Sequence, residues 1–380
     1  MALIGQSVEA AASHLRQGQP VAVPTETVYG LAANALDAEA LLRVFEVKER
    51  PLRDPLIVHL ASVDQLERYA KEVPEPAYKL LDAFSPGPLT LILPKSSLLP
   101  DLLSAGLPTA GFRIPAHPLT LELLRMLDLP LAAPSANLFG RISPTTASHV
   151  ADQLGTRIPY ILDGGPCRVG IESTILDLSG SRPVLLREGG IPADRIMATL
   201  GLQSLHRQTT AGGLQGPPSA SGLGQPSGSG LHPPSASGLG PPSASGLGPP
   251  IGQDDSALKA PGTLLHHYAP VVPLLCYQGD PYLINLLGNL NHHGSDLFPV
   301  TPRNKVGFLR YRYPVPVADH RDSPCEILSP AGDQTEAARQ LYGAMRRLEK
   351  LCDLILAELL PAQGLGAAVN DRLLRASARP

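Results

Sequence analysis

A segment that cannot build a hydrophobic core divides this chain into two parts. Between residues 212 and 252 nearly every residue is Gly, Pro, Ser, Ala or Leu, and an octad of the type PPSASGLG recurs. The copies begin at Pro217, Gln225, Pro233 and Pro241. A period of eight is too short for a solenoid unit, and such small side chains bury too little surface to offset the entropy of ordering. The sequence therefore predicts a disordered linker over residues 206–260, semi-extended by its prolines, and duplication alone accounts for its repeats.

The two flanking parts are long enough to fold. With 380 residues in the whole chain, we expect one domain over residues 1–205 and a smaller one over 261–380. The formal net charge of −3 argues against a protein that depends on electrostatic attachment to nucleic acid or anionic lipid, although a local basic pocket remains open.

The sequence also shows no targeting signal, no membrane span and no cysteine pattern typical of a zinc site or a disulfide framework. The N-terminal residues lack a basic stretch followed by an apolar one, so we expect no secretory signal. No run of 18 apolar residues predicts a membrane span. Cys167, Cys276, Cys325 and Cys352 are far apart and form no CxxC pair. This spacing argues against a cysteine zinc site and a disulfide framework, and indicates a cytoplasmic protein.

The first part has an alternating α/β pattern. Helical spacing predicts helices over residues 7–16, with Ser7 as a cap, over 38–47 and over 63–69. Short apolar runs predict strands near residues 20–32, 55–60, 89–94, 110–115, 130–136, 160–165, 172–178 and 182–190. The order mixes hairpin-like neighbours with crossovers, which favours an open, mixed, twisted sheet with helices on its faces.

The second part predicts a smaller α/β domain. Residues 271–277 and 305–311 are strand-like, and Ile327 and Leu328 can add a third strand. The apolar spacing predicts one long helix over residues 335–360, whose apolar stripe faces a core.

Common phosphate-binding loops are missing. The chain has no GxxxxGK[ST], no GxGxxG that opens a helix, no GxSxG and no HExxH. If the protein binds a nucleotide, the site must be built from polar residues at the ends of apolar strands, where loop sites usually lie.

Two polar groups follow early elements. Thr25, Glu26 and Thr27 come after an apolar strand and can bind a hydroxyl or an ammonium group, although a turn with locally satisfied hydroxyls is the alternative. Lys48 and Arg50 follow a helix, and two cations so close repel each other unless they are solvated or face an anion.

Further polar residues lie near later strands. Arg113 at a strand end needs a partner, and a carboxylate or phosphate ligand is slightly favoured over a structural ion pair. Ser135 and Asn137 lie in a turn of small residues, Ser173 begins a strand, and Arg187 ends one. Each group alone has an ordinary structural explanation. Together they suit a polyphosphate and an amino acid.

These segments, in this order, resemble the YrdC-like threonylcarbamoyl-AMP synthase family. Its hallmarks are the run PTETVYGL, a Lys-x-Arg pair before proline and a Ser-x-Asn turn, all present here. The segment APGTLLHHYAP resembles the HYAP segment of the long form, which has an extra C-terminal domain. The resemblance covers nearly all of residues 1–200 and, more loosely, 260–377.

The resemblance implies an enzyme that makes L-threonylcarbamoyladenylate and pyrophosphate from L-threonine, bicarbonate and ATP with Mg²⁺. The product would pass to a tRNA threonylcarbamoyl transferase. The residues implied for L-threonine are Thr25, His59, Arg113, Ala133 and Ser173. Those implied for ATP are Lys48, Arg50, Leu52, Thr109, Ser135, Asn137, Ser143, Arg187, Leu265 and His267. Lys48, Arg50 and Arg187 would be catalytic through their charge, with no metal ligand and no covalent intermediate.

Some residues depart from the family pattern. Leu265 stands where an aromatic residue is frequent, and Glu188 stands where proline is. The role of Glu26 stays open.

The sequence disfavours three alternative functions. An RNA-binding module is disfavoured by the low charge and the lack of an aromatic-basic platform, so we expect neither stable nucleic-acid binding nor membrane binding. A carbamoyl-transfer protein of hydrogenase maturation would carry paired-cysteine zinc fingers. A metal site at the adjacent histidines 266–267 and 292–293 is disfavoured because neighbouring side chains on a strand point apart.

Overall fold

The computed structural model describes residues 1–208, 260–262, 267–278, 305–313 and 323–378. All of them belong to one compact unit, formed by residues 1–208 and 257–380. Most of the predicted linker and Leu265 lie outside the described residues.

A mixed sheet forms the centre of the first part and confirms the predicted fold class. In the described residues it has 11 strands in the order β1-β8-β2-β3-β7-β4-β6-β5-β9-β10-β11. The strands are β1 Leu3–Gly5, β2 Val21–Val23, β3 Gly30–Asn34, β4 Ile57–His59, β5 Leu89–Pro94, β6 Thr109–Arg113, β7 Leu131–Ala132, β8 Tyr160–Leu162, β9 Thr174–Asp177, β10 Val184–Arg187 and β11 His206–Arg207. Strand β6 is parallel to β4 and antiparallel to β5.

Helices pack around this sheet. They are α1 Val8–Arg16, α2 Ala38–Lys48, α3 Val63–Tyr69, α4 Glu75–Phe84, α5 Pro118–Leu127, α6 Ala147–Leu154 and α7 Ala193–Leu200. The first three confirm the predicted helices, and the Ser7 side chain caps α1 by accepting a hydrogen bond from the Ala10 amide. The sequence analysis did not assign α4 to α7. Two of these, α4 and α5, carry proline in the first turn, where the missing N–H costs little.

The C-terminal part has a second sheet of four strands in the described residues, with every pair parallel. Its strands are β12 Leu274–Tyr277, β13 Val306–Arg310, β14 Cys325–Ile327 and β15 Leu354–Glu358, in the order β12-β15-β13-β14. Helices α8 Gln334–Glu349 and α9 Leu365–Ser377 cover it.

The predicted long helix over residues 335–360 is wrong in its second half. Helix α8 ends at Glu349, and Leu354–Glu358 forms β15, which pairs with β12 on one side and β13 on the other. An interior parallel strand is buried on both faces and appears in sequence as a continuous apolar run, so its residues can coincide with helical spacing. Leu351, predicted to face the core, is 50% exposed.

The two parts of the chain share an apolar core. Val28, Ile142 and Ile171 of the first part pack in one apolar cluster with Leu341 and Tyr342 of α8. Helix α8 comes close to the first part at Gly170, where a Cβ would lie 2.4 Å from the Cα of Arg339 and φ is +81°. Helix α8 therefore packs against loops of the first part. Within the described ranges, no helix has the length and apolar character needed to cross a membrane.

Candidate functional site

Eight of the predicted site residues line one small cavity at the carboxyl ends of the interior strands β4 and β6 of the large sheet. The cavity has a volume of about 50 Å³. Its wall is formed by Thr27, Val28, Arg50, Ile57, His59, Arg113, Ala133, Pro134, Ser135, Glu172, Ser173, Arg187, Pro261, Gly262, His267 and Tyr268. A larger, shallower depression of about 920 Å³ beside α5 has only Glu122 and Arg125 as charged lining residues. The smaller cavity, with the larger number of charged and polar lining residues, is therefore the candidate site.

Sheet topology brings together the residues predicted for L-threonine. His59 and Arg113 end the parallel neighbours β4 and β6 and are register partners. Ala133 directly follows β7, and its amide donates to the Ile57 carbonyl at 3.0 Å. Ser173 directly precedes β9. All four line the cavity.

Arg113 is anchored at one end and open at the other. Its Nη2 donates to Glu26 Oε1 at 2.7 Å and to Thr27 Oγ1 at 2.9 Å, and its Nε donates to the Gly87 carbonyl at 3.3 Å. Among the described residues, no group bonds Nη1. Glu26, whose role the sequence left open, is thus the buried partner of Arg113, and Nη1 remains available to a carboxylate on the cavity side.

Thr25 lies behind this wall. Its hydroxyl donates to the Val28 carbonyl at 2.6 Å and accepts from the Thr27 and Val28 amides at 3.1 and 3.2 Å. This is the locally satisfied turn that the sequence analysis kept as an alternative. Thr27, not Thr25, lines the cavity.

His59 is a buried neutral ring. Burial, followed by the charge of Arg113, lowers the pKa of His59 to about 3. Its Nδ1 lies 3.2 Å from the Ile57 carbonyl, which can only accept, so Nδ1 carries the proton. Nε2 is then an acceptor for an ammonium or hydroxyl group.

Arg187 and Arg50 also line the cavity and supply positive charge to it. Arg187 donates to the Ser173 carbonyl at 3.0 Å, to Ser173 Oγ at 3.1 Å and to the Pro261 carbonyl at 2.9 Å. In the part of the chain that the structure describes, no Asp or Glu lies within 4.0 Å of Arg187. Arg50 forms an ion pair with Asp54 at 3.0 Å. Arg187 is therefore the cation with the more available charge.

Lys48 holds a turn and does not line the cavity. Its amine donates to the Ser135 carbonyl and, at 2.6 Å, to the Asn137 carbonyl. Burial, followed by the charge of Arg50, lowers the pKa of Lys48 well below its ordinary value. Asn137 in turn donates to the Leu138 carbonyl at 2.7 Å and to the Arg141 carbonyl at 3.0 Å. These contacts fix the turn that presents Ser135 to the cavity.

The remaining predicted residues have different surroundings. Ser143 donates to Glu172 Oε1 at 2.7 Å behind the cavity wall. Leu52 is 53% exposed and lies off the wall. Thr109 begins β6, whereas Arg113 ends it, and at about 3.3 Å per residue the two lie about 13 Å apart.

His267 reaches the wall from the segment after the predicted linker. Among the described residues, neither of its ring nitrogens has a hydrogen-bond partner. Burial, followed by the charge of Arg50, lowers the pKa of His267 to about 3, so the ring is neutral.

The sequence analysis missed a carboxylate on the cavity wall. Glu172, 6% exposed, accepts hydrogen bonds from Ser143, from Tyr342 of α8 and from Arg372 of α9. No local pattern marks Glu172, because Tyr342 and Arg372 are 170 and 200 residues away in sequence.

The described residues offer no dedicated metal cage. Across the described ranges, no group of three or more His, Cys, Asp or Glu side chains could hold a metal ion.

Comparison with known proteins gives consistent matches. Residues 13–189 match the Sua5–YciO–YrdC family, described as "Telomere recombination", and residues 240–378 match "Threonylcarbamoyl-AMP synthase, C-terminal domain". The chain is 37% identical over 376 residues to the threonylcarbamoyl-AMP synthase of Pyrococcus abyssi, covering 97% of this chain and 94% of that protein. It is 38% identical over 370 residues to the Bacillus subtilis protein of the same name, with 97% and 92% coverage.

Solved structures agree with these matches. P. abyssi Sua5 complexed with L-threonine superposes with a TM-score of 0.77 at 35% identity, covering 99% of this chain and 97% of that chain. The resemblance therefore extends through both parts of the chain.

Proposed function

The chain belongs to the threonylcarbamoyl-AMP synthase family, in the long form with the C-terminal domain, and we propose that it joins L-threonine, bicarbonate and ATP. The products are L-threonylcarbamoyladenylate and pyrophosphate. One observation carries the proposal: the same cavity is lined by Arg113, whose Nη1 has no bond among the described residues, and by Arg187. A carboxylate and a phosphate group therefore each have an arginine on the wall of the same cavity.

The amino acid binds at the end of the cavity formed by β4 and β6. Nη1 of Arg113 takes the carboxylate, because Nη2 and Nε are already engaged. His59 Nε2 accepts a hydrogen bond from the substrate, and Ser173 and Thr27 offer hydroxyl groups on the same wall. The site thus supplies partners for the hydroxyl of threonine.

The reaction joins the carbamate of threonine to AMP. The threonine amine attacks bicarbonate, a C–N bond forms, and water leaves to give the carbamate. A carbamate oxygen then attacks the α-phosphorus of ATP, and the bond to the β-phosphate oxygen breaks to release pyrophosphate. Arg187 and Arg50 stabilise the negative charge on the phosphates by preorganised charge, and no protein nucleophile takes part.

Magnesium enters with the nucleotide in this proposal. Mg²⁺ commonly keeps several waters and binds substrate phosphates with few protein carboxylates. The described residues suit that mode and do not suit an all-protein site. Mg²⁺ would neutralise phosphate charge beside Arg187.

The reactivity of the product indicates where it goes next, and the cysteine content indicates where the protein works. A mixed anhydride of a carbamate and a phosphate hydrolyses in water, so the protein hands it to a tRNA threonylcarbamoyl transferase, without stable nucleic-acid binding of its own. The four cysteines are dispersed in the sequence and form no CxxC pair, which suits the reducing cytoplasm, and we propose the cytoplasm as the protein's location.

Mass spectrometry of the reaction products tests the function. The protein is incubated with ATP, Mg²⁺, L-threonine and ¹³C-bicarbonate, and we expect threonylcarbamoyl-AMP heavier by one mass unit together with one pyrophosphate. Omission of threonine is the control and should release no pyrophosphate above background. An unlabelled product, or pyrophosphate without the adenylate, would contradict the proposal.

A further inference from the structure

A carboxylate on the cavity wall is held by the C-terminal part of the chain. Glu172 is next in sequence to Ser173 and lines the same cavity as Arg187. Its Oε1 accepts from Ser143 at 2.7 Å and from Tyr342 at 3.0 Å, and its Oε2 accepts from Tyr342 at 2.9 Å and from Arg372 at 2.7 Å. Of these donors only Arg372 is charged.

Arg372 is fully enclosed. Its side chain has 0% exposure, and each nitrogen of its guanidinium has a partner. Nε binds Glu172, Nη1 binds Asp371 at 2.6 Å, and Nη2 donates to the Glu188 carbonyl at 2.9 Å. The guanidinium carbon also lies 5.1 Å from the ring centre of Tyr268, in the segment that reaches the cavity. These contacts hold the guanidinium of Arg372 beside Glu172.

Without Arg372, the charged groups on the cavity wall would pair differently. Glu172 and Arg187 line one cavity and feel each other's charge, yet among the described residues no carboxylate lies within ion-pair distance of Arg187. Burial opposes the ionised form of Glu172, but Arg372 first and Arg187 second hold its pKa at about 2, so it is a carboxylate at neutral pH. An unpaired carboxylate in a water-poor cavity is attracted to the nearest available cation.

We propose that Arg372 is a positioning residue that takes up the charge of Glu172 and so keeps the positive charge of Arg187, which has only neutral hydrogen-bond acceptors among the described residues, available to the phosphates of the nucleotide. The C-terminal domain thereby sets the electrostatics of a site whose lining residues lie mostly in the first part of the chain. The phosphate ligand rests on the proposed function, whereas the competition between Glu172 and an anion does not. Without Arg372, Glu172 pairs with Arg187 and any polyphosphate must displace it.

Inorganic pyrophosphate is the probe, because it reports on Arg187 without any reaction. Its affinity is measured by calorimetry on the full chain for wild type, R372M, E172Q and the double variant R372M/E172Q. We expect R372M to bind about tenfold more weakly or worse, since close charge couplings commonly exceed the equivalent of a tenfold change. The double variant has no competing carboxylate and should return to within threefold of wild type. E172Q alone should bind at least as tightly as wild type.

The control removes a charge from the same domain without reaching the cavity. Arg347 of α8 forms a paired contact with Glu326 at 2.8 Å, with side-chain exposures of 53% and 22%. R347M should leave pyrophosphate affinity unchanged. With ATP as substrate, R372M should raise KM more than it lowers kcat, and the second substitution should reverse that rise.

Each outcome of these measurements either supports or overturns the proposal. Unchanged binding by R372M, or a double variant as weak as the single one, would show that Arg372 acts only in packing and overturns the proposal. If circular dichroism shows R372M to be unfolded, the double variant and E172Q carry the test, because neither leaves Glu172 charged. Loss of binding in E172Q also overturns it. A wild-type protein that binds pyrophosphate but forms no threonylcarbamoyl-AMP refutes the proposed function and leaves this inference standing.

Discussion

Replacing Arg113 should affect stability and threonine binding in separable ways. Arg113 and Glu26 are a buried ion pair, 2.7 Å apart with side-chain exposures of 5% and 2%. In R113M the one donor left to the Glu26 side chain among the described residues is the Ala116 amide, at 2.9 Å, although that side chain is only 2% exposed. Removal of one partner from such a pair costs about 3–5 kcal/mol in the free energy of unfolding.

A second substitution isolates the source of that loss. R113M/E26Q has no buried charge at this position, and replacement of a whole buried pair is often nearly neutral. We expect the double variant to recover to within about 1–2 kcal/mol of wild type. Threonine binding should not recover, because the carboxylate has lost its charged donor. That loss should amount to about 30-fold or more in affinity.

Urea unfolding followed by circular dichroism measures the first effect, and calorimetry with L-threonine measures the second. The surface pair of Arg157 and Glu49, 2.7 Å apart and 38% and 63% exposed, is the control. R157M/E49Q should change stability by less than about 1 kcal/mol and leave threonine affinity unchanged. If R113M/E26Q binds threonine as wild type does, Arg113 is not the carboxylate site. If it is no more stable than R113M, the buried charge of Glu26 is not the cause of the loss.

Three other perturbations have defined outcomes. R187M should lower kcat by about 10²- to 10³-fold while the thermal midpoint shows a folded protein, and near-normal turnover would mean that its charge does not serve the reaction. Deletion of residues 217–248 should leave product yield within a few-fold of wild type, since the tether that remains still spans a domain, and an inactive deletion would show a role for the repeats. Burial opposes the ionisation of Glu172, but Arg372 depresses the pKa of Glu172 from 4.5 to about 2. The stability that wild type gains over E172Q should therefore be full above pH 4.5 and decline as pH falls towards 2, measured by urea unfolding, and a pH-independent difference would refute the assignment.

Local signals determined many of the elements. Apolar spacing placed the helices that begin after Ser7, Asp37 and Ser62, and Ser7 was also predicted as a cap, because both features act within a few residues. The same reasoning failed at Leu354–Glu358. Whether an apolar run becomes a helix or an interior strand depends on the strands that pair with it, and β12 and β13 are distant in sequence.

By itself, the sequence determined the fold class and most of the polar residues on the cavity wall, since motif order and strand ends are local properties. Only the tertiary structure decided how those residues divide the work. Lys48 and Arg187 were both predicted as catalytic cations. In the structure Lys48 is buried behind a turn, whereas Arg187 lines the cavity. Glu172 gained its role from Arg372, 200 residues away. Charges interact through distance in space and through the low dielectric of a buried site, and neither quantity exists until the chain has folded.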